Sequence, residues 1–130
     1  MILLDTHVVL WLAFEPDKVS RNAHRRIEDA RRANEGVAVS GITLLEIATA
    51  ASKRRFNVAL TLEAFLEHVE AMFTVLPISS RACARILELP SEYPQDPADR
   101  IIGATALVDG LTLITADRNI LASQAVRTVW

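Results

Sequence analysis

Four carboxylate residues lie at positions in the sequence from which they could form one metal-binding site. Asp5 and Asp117 each follow an apolar stretch, and Glu46 and Asp99 each lie in the opening turn of a helical pattern. Gathered carboxylates repel one another and raise each other's pKa, and divalent cations relieve that repulsion. Oxygen ligands select hard cations, so the set predicts Mg²⁺ or Mn²⁺. Such sites serve phosphoryl chemistry, in which a cation lowers the pKa of water and stabilises a leaving oxygen.

Helix capping is the alternative explanation for these acids. Asp5, Asp96 and Asp117 all stand where an N-cap would precede a helix, and Thr43-x-x-Glu46 has the form of a capping box. The helix dipole favours acids in first turns whatever their chemistry. Capping explains each acid separately but not why the four should meet. Asp96, which a proline follows, is interpreted as an N-cap and not as a ligand.

Short apolar strands alternate with helices along the chain. Strands are predicted at residues 2–4, 37–40, 73–78, 111–115 and 126–130. Helices are predicted at residues 6–14, from Ser20 to about Asn34, from a cap at Thr43 to about Arg54, after a cap at Thr61, at 82–89, 97–109 and 118–122. None of the strands alternates between apolar and polar residues, which is typical of a parallel sheet covered on both faces. The fold class is therefore α/β, with three layers, and parallel sheets bind ligands at their carboxyl edge.

Composition fits one globular domain over residues 1–130, with 51% hydrophobic and 23% charged residues. The net charge is −2, but setting aside the four acids leaves 12 acidic against 14 basic residues. Basic pairs at Arg25-Arg26 and Arg31-Arg32, and the run Lys53-Arg54-Arg55, are interpreted as solvated helix faces. Cys83 stands alone, which excludes an internal disulfide, fits a reducing cytoplasm and predicts a buried thiol. No targeting segment or membrane span is apparent.

Other common sites do not fit the sequence. It contains no GxGxxG or Walker A loop and no serine or cysteine nucleophile with a histidine partner. His7, His24 and His68 are interpreted as helix residues without a chemical role. A phospho-accepting receiver domain also needs a lysine after a late strand, and none is present. Arg100 and Arg118 are the candidates for neutralising the acids.

The order of the motifs resembles PIN-domain toxins of the VapC type. The opening segment, residues 3–11, carries the first acid, and Ser40-x-x-Thr43-x-x-Glu46-Ile47 resembles the second motif. Residues 96–106 resemble the central motif, and residues 113–117 resemble the final acidic strand end. The likeness runs across nearly the whole chain.

The resemblance implies a five-stranded parallel sheet in order 3-2-1-4-5 and Mg²⁺- or Mn²⁺-dependent cleavage of RNA. Its acids fall on Asp5, Glu46, Asp99 and Asp117, which would be both catalytic residues and metal ligands. Thr6 and Thr115 match hydroxyl positions that would orient metal-bound water, and Arg100 matches the arginine after the third acid. The resemblance also implies a cognate antitoxin protein.

Two helices carry more apolar surface than one sheet face needs, at residues 6–14 and from Thr43 onward. Burial within the domain is one explanation. The other is that one apolar face forms a homodimer while another accepts an antitoxin helix. Two functional alternatives stay open: a non-catalytic binding module with the same fold, and a nuclease outside any toxin–antitoxin pair.

Overall fold

The fold is built on a parallel sheet of five strands. The structure is a computed structural model that describes residues 1–53 and 61–130. The strands are β1 (Ile2–Leu4), β2 (Val37–Ser40), β3 (Thr74–Leu76), β4 (Thr112–Ile114) and β5 (Thr128–Val129). Their order is β3-β2-β1-β4-β5, and every pairing is parallel, which confirms the expected topology. Leu4 lies opposite both Val39 and Ile114, so β1, β2 and β4 end at one level.

Helices connect the strands and cover both faces of the sheet. They are α1 (Thr6–Phe14), α2 (Arg21–Arg32), α3 (Gly41–Ser52), α4 (Leu62–Met72), α5 (Ser80–Arg85), α6 (Pro97–Asp109) and α7 (Arg118–Ser123). One core lies between the sheet and α1, α2 and α4, centred on Leu4, Val8 and Ile27. A second core lies on the opposite face, where Leu3 and Leu113 pack against Ile102 of α6. These two cores give the three layers predicted from the continuous apolar strands.

Several predicted elements are shorter than the apolar runs that suggested them. The last three strands occupy only part of the predicted stretches, and some backbone groups just outside them bond to the preceding helix. The Phe73 N–H, for example, donates to the Val69 carbonyl at the end of α4. The segment predicted as a helix at 82–89 is α5 followed by a 3-10 turn at Ile86–Glu88.

The predicted cap of α3 at Thr43 was wrong. Ser40 is the N-cap, with an extended backbone and a side-chain oxygen that accepts a hydrogen bond from the Ile42 N–H at 3.2 Å. Thr43 is fully buried inside the first turn, and its hydroxyl contacts Thr6 instead. The predicted C-terminal end of this helix, Arg54, lies outside the described residues.

The prediction for Cys83 was also wrong, since its thiol is exposed. α5 is short, and it packs through Ala82, which is 1% exposed, so its next residue turns toward solvent. The basic pairs on α2 behave as predicted: Arg31 pairs with Glu28 and Arg32 with Asp29 on an exposed helix face. Of the third basic run, only Lys53 falls within the described residues, and it is exposed.

None of the helices in residues 1–53 and 61–130 is long and apolar enough to cross a membrane.

Candidate active site

Asp5 is a buried carboxylate at the carboxyl end of β1. The residue is 3% exposed, and it caps α1 by accepting a hydrogen bond from the Thr6 N–H at 2.8 Å. Its other oxygen, Oδ2, accepts a 2.7 Å hydrogen bond from the hydroxyl of Thr115. Strand end, helix cap and hydroxyl partner together hold the carboxylate in one orientation. Asp5 is therefore both an N-cap and a fixed group at the edge of the sheet.

Glu46 reaches the same edge from α3. Thr6 Oγ1 donates to Glu46 Oε1 at 2.6 Å and lies 3.0 Å from the hydroxyl oxygen of Thr43. A hydroxyl has one proton to donate, so the Thr43 hydroxyl is the donor to Thr6. The chain of two hydroxyls holds Glu46 beside Thr6, the first residue of α1 and the neighbour of Asp5 in sequence. The residues predicted as a capping box thus serve a tertiary contact between α1 and α3.

Asp99 enters from the first turn of α6. Asp96 caps this helix by accepting hydrogen bonds from the N–H groups of Ala98 and Asp99 at 2.9 Å and 3.3 Å, as predicted. The acids Glu46, Asp96 and Asp99 also each offer one oxygen within 4.8 Å of the others, a spacing that suits a shared cation. Asp96 was predicted as a cap alone, and the structure places it among the candidate ligands as well.

Asp117 completes the edge after β4. The Thr115 hydroxyl accepts a 3.1 Å hydrogen bond from the Asp117 N–H while donating to Asp5, so it ties the two acids together. Asp117 Oδ1 caps α7 by accepting hydrogen bonds from the N–H groups of Asn119 and Ile120. Asp5 and Asp117 are therefore helix caps tied together through Thr115, while Glu46, Asp96 and Asp99 are the acids whose oxygens lie within 4.8 Å of one another.

Burial and neighbouring carboxylates raise the pKa values of two acids at the site. Burial, followed by the charges of the carboxylates at positions 5, 96, 46 and 117, raises the pKa of Asp99 from its ordinary 3.8 to about 7. Burial also raises the pKa of Glu46, as do the charges of Asp5 and Asp96, while the hydrogen bond from Thr6 lowers it. Capping alone would not raise these pKa values, because hydrogen bonds from backbone N–H groups favour the charged form.

A divalent cation fits this donor set. All the candidate ligands are carboxylate oxygens, which suit hard cations such as Mg²⁺, Mn²⁺ or Ca²⁺. Within the described ranges, no arginine or lysine forms an ion pair with Glu46, Asp99 or Asp117. The repulsion that raises the pKa of Asp99 is thus not neutralised by the protein, and a bound cation would neutralise it.

Arg100 does not turn toward the acids. Its guanidinium donates to the backbone carbonyls of Ile86 and Tyr93, both at 3.4 Å, and so joins α6 to the preceding loop. Arg118, the other cation considered, is exposed at the start of α7. Arg100 and Arg118 were predicted to neutralise the acids because each directly follows an acid in the sequence. Closeness in sequence does not determine the direction in which a side chain points.

Two residues at the site were missed by the sequence analysis. Tyr93 is 1% exposed, and its hydroxyl donates to the Asp99 carbonyl at 3.1 Å. Burial and the nearby carboxylates raise its pKa, so the phenol stays protonated. His7, interpreted as having no role, accepts a 3.0 Å hydrogen bond at Nε2 from the Ala116 N–H, and its Nδ1 lies 3.6 Å from Asp5 Oδ2. The two-residue spacing from Asp5 was the available signal for His7; no signal pointed to Tyr93.

Fold and site together define a three-layer α/β domain with a carboxylate centre at the carboxyl edge of its parallel sheet. Residues 2–125 match the PIN domain. The chain belongs to the PIN-domain family.

Individual relatives agree with this assignment. Ribonuclease VapC22 of Mycobacterium tuberculosis (strain ATCC 25618 / H37Rv) is 35% identical over 131 residues, covering 99% of this chain and 98% of that protein. A toxin-antitoxin complex from Klebsiella pneumoniae is similar with a TM-score of 0.65 and 25% identity, over 100% of this chain and 97% of that one. The crystal structure of VapBC2 from Rickettsia felis, solved with a promoter DNA fragment, is similar with a TM-score of 0.74 and 18% identity. The match covers 99% of this chain and 98% of that one, and it shows that the two share a fold.

Proposed function

We propose that residues 1–130 form a single PIN domain that acts as a metal-dependent endoribonuclease and as the toxin of a toxin–antitoxin pair. The observation that carries the proposal is the group of carboxylates at the carboxyl edge of the sheet, where Glu46, Asp96 and Asp99 each offer an oxygen within 4.8 Å of the others and Thr115 ties Asp5 to Asp117. Purely structural caps have no reason to meet in this way. The 35% identity to a ribonuclease over the whole chain supports RNA as the substrate.

The proposed catalytic residues and metal ligands are Asp5, Glu46, Asp99 and Asp117, with Mg²⁺ or Mn²⁺ as the cofactor. A bound divalent cation supplies a Lewis acid that makes water a stronger nucleophile and offsets charge on the phosphodiester. Asp96 lies close enough to Glu46 and Asp99 to share in binding it. The raised pKa of Asp99 means that a cation displaces a proton there near neutral pH.

The protein's own contribution is to hold the acids in place before the cation and RNA arrive. Thr115 orients Asp5 and the backbone leading to Asp117, and Thr6 orients Glu46. Both hydroxyls are nearly or fully buried, which favours a single arrangement of the carboxylates. They match the hydroxyl positions of the family and act here on the carboxylates directly.

An antitoxin helix is proposed to occupy the groove between α1 and α4. The groove has a volume of about 490 Å³ and is mostly apolar, with Leu12, Phe14 and Met72 among its lining residues. Phe14 is 37% exposed and Met72 52% exposed, although both belong to otherwise packed helices. An amphipathic helix that buries an apolar face would fill such a groove. The toxin–antitoxin complexes with this fold support a protein partner of this kind.

A homodimer is also proposed, with α3 contributing to the contact between copies. Leu45 projects from this helix with 61% of its surface exposed. A single exposed leucine is common on protein surfaces, so the assignment rests on the surplus of apolar residues on α3 together with Leu45. Sedimentation of wild type and Leu45→Glu tests the assignment, since a monomeric wild type would contradict it.

The test of the nuclease proposal is cleavage of RNA by antitoxin-free protein in Mn²⁺, with and without EDTA. Wild type is expected to cut only with the metal, and Asp5→Asn and Asp99→Asn are expected to abolish cutting. Asp109→Asn is the matched control, because this exposed residue ends the helix whose first turn contains Asp99. Cutting that persists in EDTA or in both site variants would contradict the mechanism.

Calorimetric titration separates the nuclease from a non-catalytic binding module. Wild type is expected to bind Mn²⁺ at millimolar concentrations or below, and Asp99→Asn is expected to bind it more weakly. Absence of binding by wild type would favour the non-catalytic module. Activity in a protein whose expression causes no growth arrest would favour a nuclease outside any toxin–antitoxin pair.

A further inference from the structure

Three aromatic rings meet at the border of the carboxylate site. The rings of His7 and Trp11 lie 4.9 Å apart, Trp11 and Trp130 lie 5.7 Å apart, and His7 and Trp130 lie 6.4 Å apart, centroid to centroid. Their planes meet at 55° to 67°, so none is stacked flat on another. All three side chains are half-buried and keep part of their surface in solvent. We call this group the aromatic cluster.

The fold brings these rings together from two ends of the sequence. His7 and Trp11 are four residues apart on α1, which places them on one face of the helix. Trp130 follows β5, and the Val129 carbonyl before it accepts a hydrogen bond from the Thr115 N–H at 3.3 Å. Trp130 therefore stands at the same carboxyl edge of the sheet as the acids.

The aromatic cluster is continuous with the carboxylate site. His7 is the link, since its Nε2 accepts the Ala116 N–H and its Nδ1 lies 3.6 Å from Asp5 Oδ2. Ala116 stands between Thr115 and Asp117, the two residues that close the site after β4. A polymer with its phosphodiester at the acids would have its neighbouring units within reach of the tryptophans.

Two basic residues lie near the outer side of the aromatic cluster. Lys18 Nζ is 5.7 Å from the centroid of the Trp11 ring and also forms an exposed ion pair with Glu15 at 2.9 Å. Asn22 donates from Nδ2 to the Trp130 carbonyl at 3.4 Å, and Arg21 beside it is exposed. Half-buried rings next to a proposed metal site suit a polymer that carries flat bases beside its phosphodiesters.

We propose that the aromatic cluster stacks a nucleobase of single-stranded RNA next to the phosphodiester held at the carboxylates. The inference rests on the proposed nuclease function and adds a base-binding subsite to it. Only 5% of the residues are aromatic, yet both tryptophans of the sequence lie in this cluster. Stacking on an aromatic ring tolerates any base and is a common way to hold single strands.

Labelled single-stranded RNA of twelve nucleotides, added with Mg²⁺ to protein in an Asp99→Asn background, provides the test. That background removes cutting under the proposed function and lessens repulsion by the acids. The oligonucleotides form a series in which one nucleotide after another lacks its base. Anisotropy gives the dissociation constant, and intrinsic tryptophan fluorescence reports on the cluster directly, because no other tryptophan is present.

In the Asp99→Asn protein, called the parent here, removing the one base that stacks is expected to raise the dissociation constant about 5- to 100-fold. Adding Trp130→Leu to the parent is expected to raise the dissociation constant for intact RNA by a similar factor. Removing the base is then expected to cause no further loss of binding. Trp130→Phe retains a ring and is expected to restore part of the sensitivity. Leu87→Ala, which shortens a side chain that is 90% exposed, serves as the control and is expected to match the parent.

An equal penalty for the missing base in the parent and in Trp130→Leu would overturn the proposal, even if the wild-type protein cuts RNA. A change in oligomeric state in Trp130→Leu, with RNA binding unchanged, would instead assign the cluster to an interface between copies. Conversely, a base penalty that depends on Trp130 in a protein whose wild type cuts no RNA would support the subsite and refute the nuclease. The two failures are therefore distinguishable.

Discussion

Tyr93 occupies the space that a side chain at position 103 would need. A Cβ added to Gly103 would lie 2.2 Å from the Tyr93 hydroxyl oxygen and 2.6 Å from its Cζ. The same hydroxyl donates to the backbone of Asp99. The missing side chain at Gly103 thus lets a buried tyrosine press against α6 and fix the turn that presents Asp99.

Gly103→Ala is expected to destabilise the protein by about 1–3 kcal/mol, because the tyrosine must move out of a packed core. In a Tyr93→Leu background the same substitution is expected to cost much less, since the clashing atoms are gone. Chemical denaturation of the four proteins in this double-mutant cycle gives the coupling. Additive effects of the two substitutions would show that the contact does not govern the position of Tyr93.

The pKa of Asp99 predicts how stability depends on pH in the absence of metal. Its folded-state pKa of about 7 exceeds the ordinary 3.8, so the folded state holds this proton more tightly than the unfolded state. The corresponding stabilisation is fully present below about pH 4 and is lost as pH rises through 7. In EDTA at pH 8, Asp99→Asn is expected to melt a few degrees higher than wild type. Because Asp99 is partly exposed, solvent screening limits the gain in the free energy of unfolding to on the order of 1 kcal/mol.

The melting difference between wild type and Asp99→Asn is expected to shrink at pH 5 and to reverse when Mn²⁺ is added at pH 8. Asp109→Asn, at the exposed end of the same helix, is expected to follow wild type throughout. Thermal melts of the three proteins at both pH values check the prediction. If the melting temperatures of the two variants change in the same way with pH and Mn²⁺, repulsion between Asp99 and the other carboxylates does not affect stability.

Thr6 is expected to act on cleavage through Glu46. Thr6→Val removes the hydroxyl that donates to Glu46 Oε1 at 2.6 Å and leaves the Thr43 hydroxyl without its acceptor. Losing an outer hydrogen bond of this kind typically costs about 10- to 100-fold in metal affinity or activity. Thr6→Ser keeps the hydroxyl and is expected to recover most of both. Mn²⁺ titration and cleavage rates of the two variants test this prediction. A Thr6→Val variant that binds Mn²⁺ and cuts RNA as well as wild type would contradict it.

The placement of Asp5 and Asp117 at one edge of the sheet could be predicted from the sequence, because each depends on a local feature. Asp5 and Asp117 directly follow apolar strands, and parallel strands end at one edge of the sheet. The sheet order came from the resemblance to PIN domains and not from the patterning, which does not specify which strands are neighbours. The acids that follow strands and the layers of the fold were therefore predictable, and the side-chain contacts of the acids were not.

The missed features all depend on tertiary packing. Tyr93 lies in a loop with no periodic pattern, and its burial depends on a glycine ten residues away. Ser40 and Thr43 are both hydroxyl residues near one helix start, and only the strand end at Ser40 decides which of them is the cap. Arg100 follows a site acid in sequence, yet its side chain bonds to loop carbonyls on another side of the helix.

The exposed thiol of Cys83 is expected to be reactive in the folded protein. Its thiol is exposed on α5, away from both cores, while the adjacent Ala82 makes the packing contact. A thiol reagent such as dithionitrobenzoate is expected to titrate one thiol per folded chain without denaturant.

Cys83→Ser is expected to change the free energy of unfolding by less than about 0.5 kcal/mol, the usual range for surface substitutions. Ala82→Ser is the buried neighbour for comparison and is expected to cost more, because it places a hydroxyl in the apolar core. A thiol that reacts only after unfolding would place Cys83 inside an interface between copies or within the core.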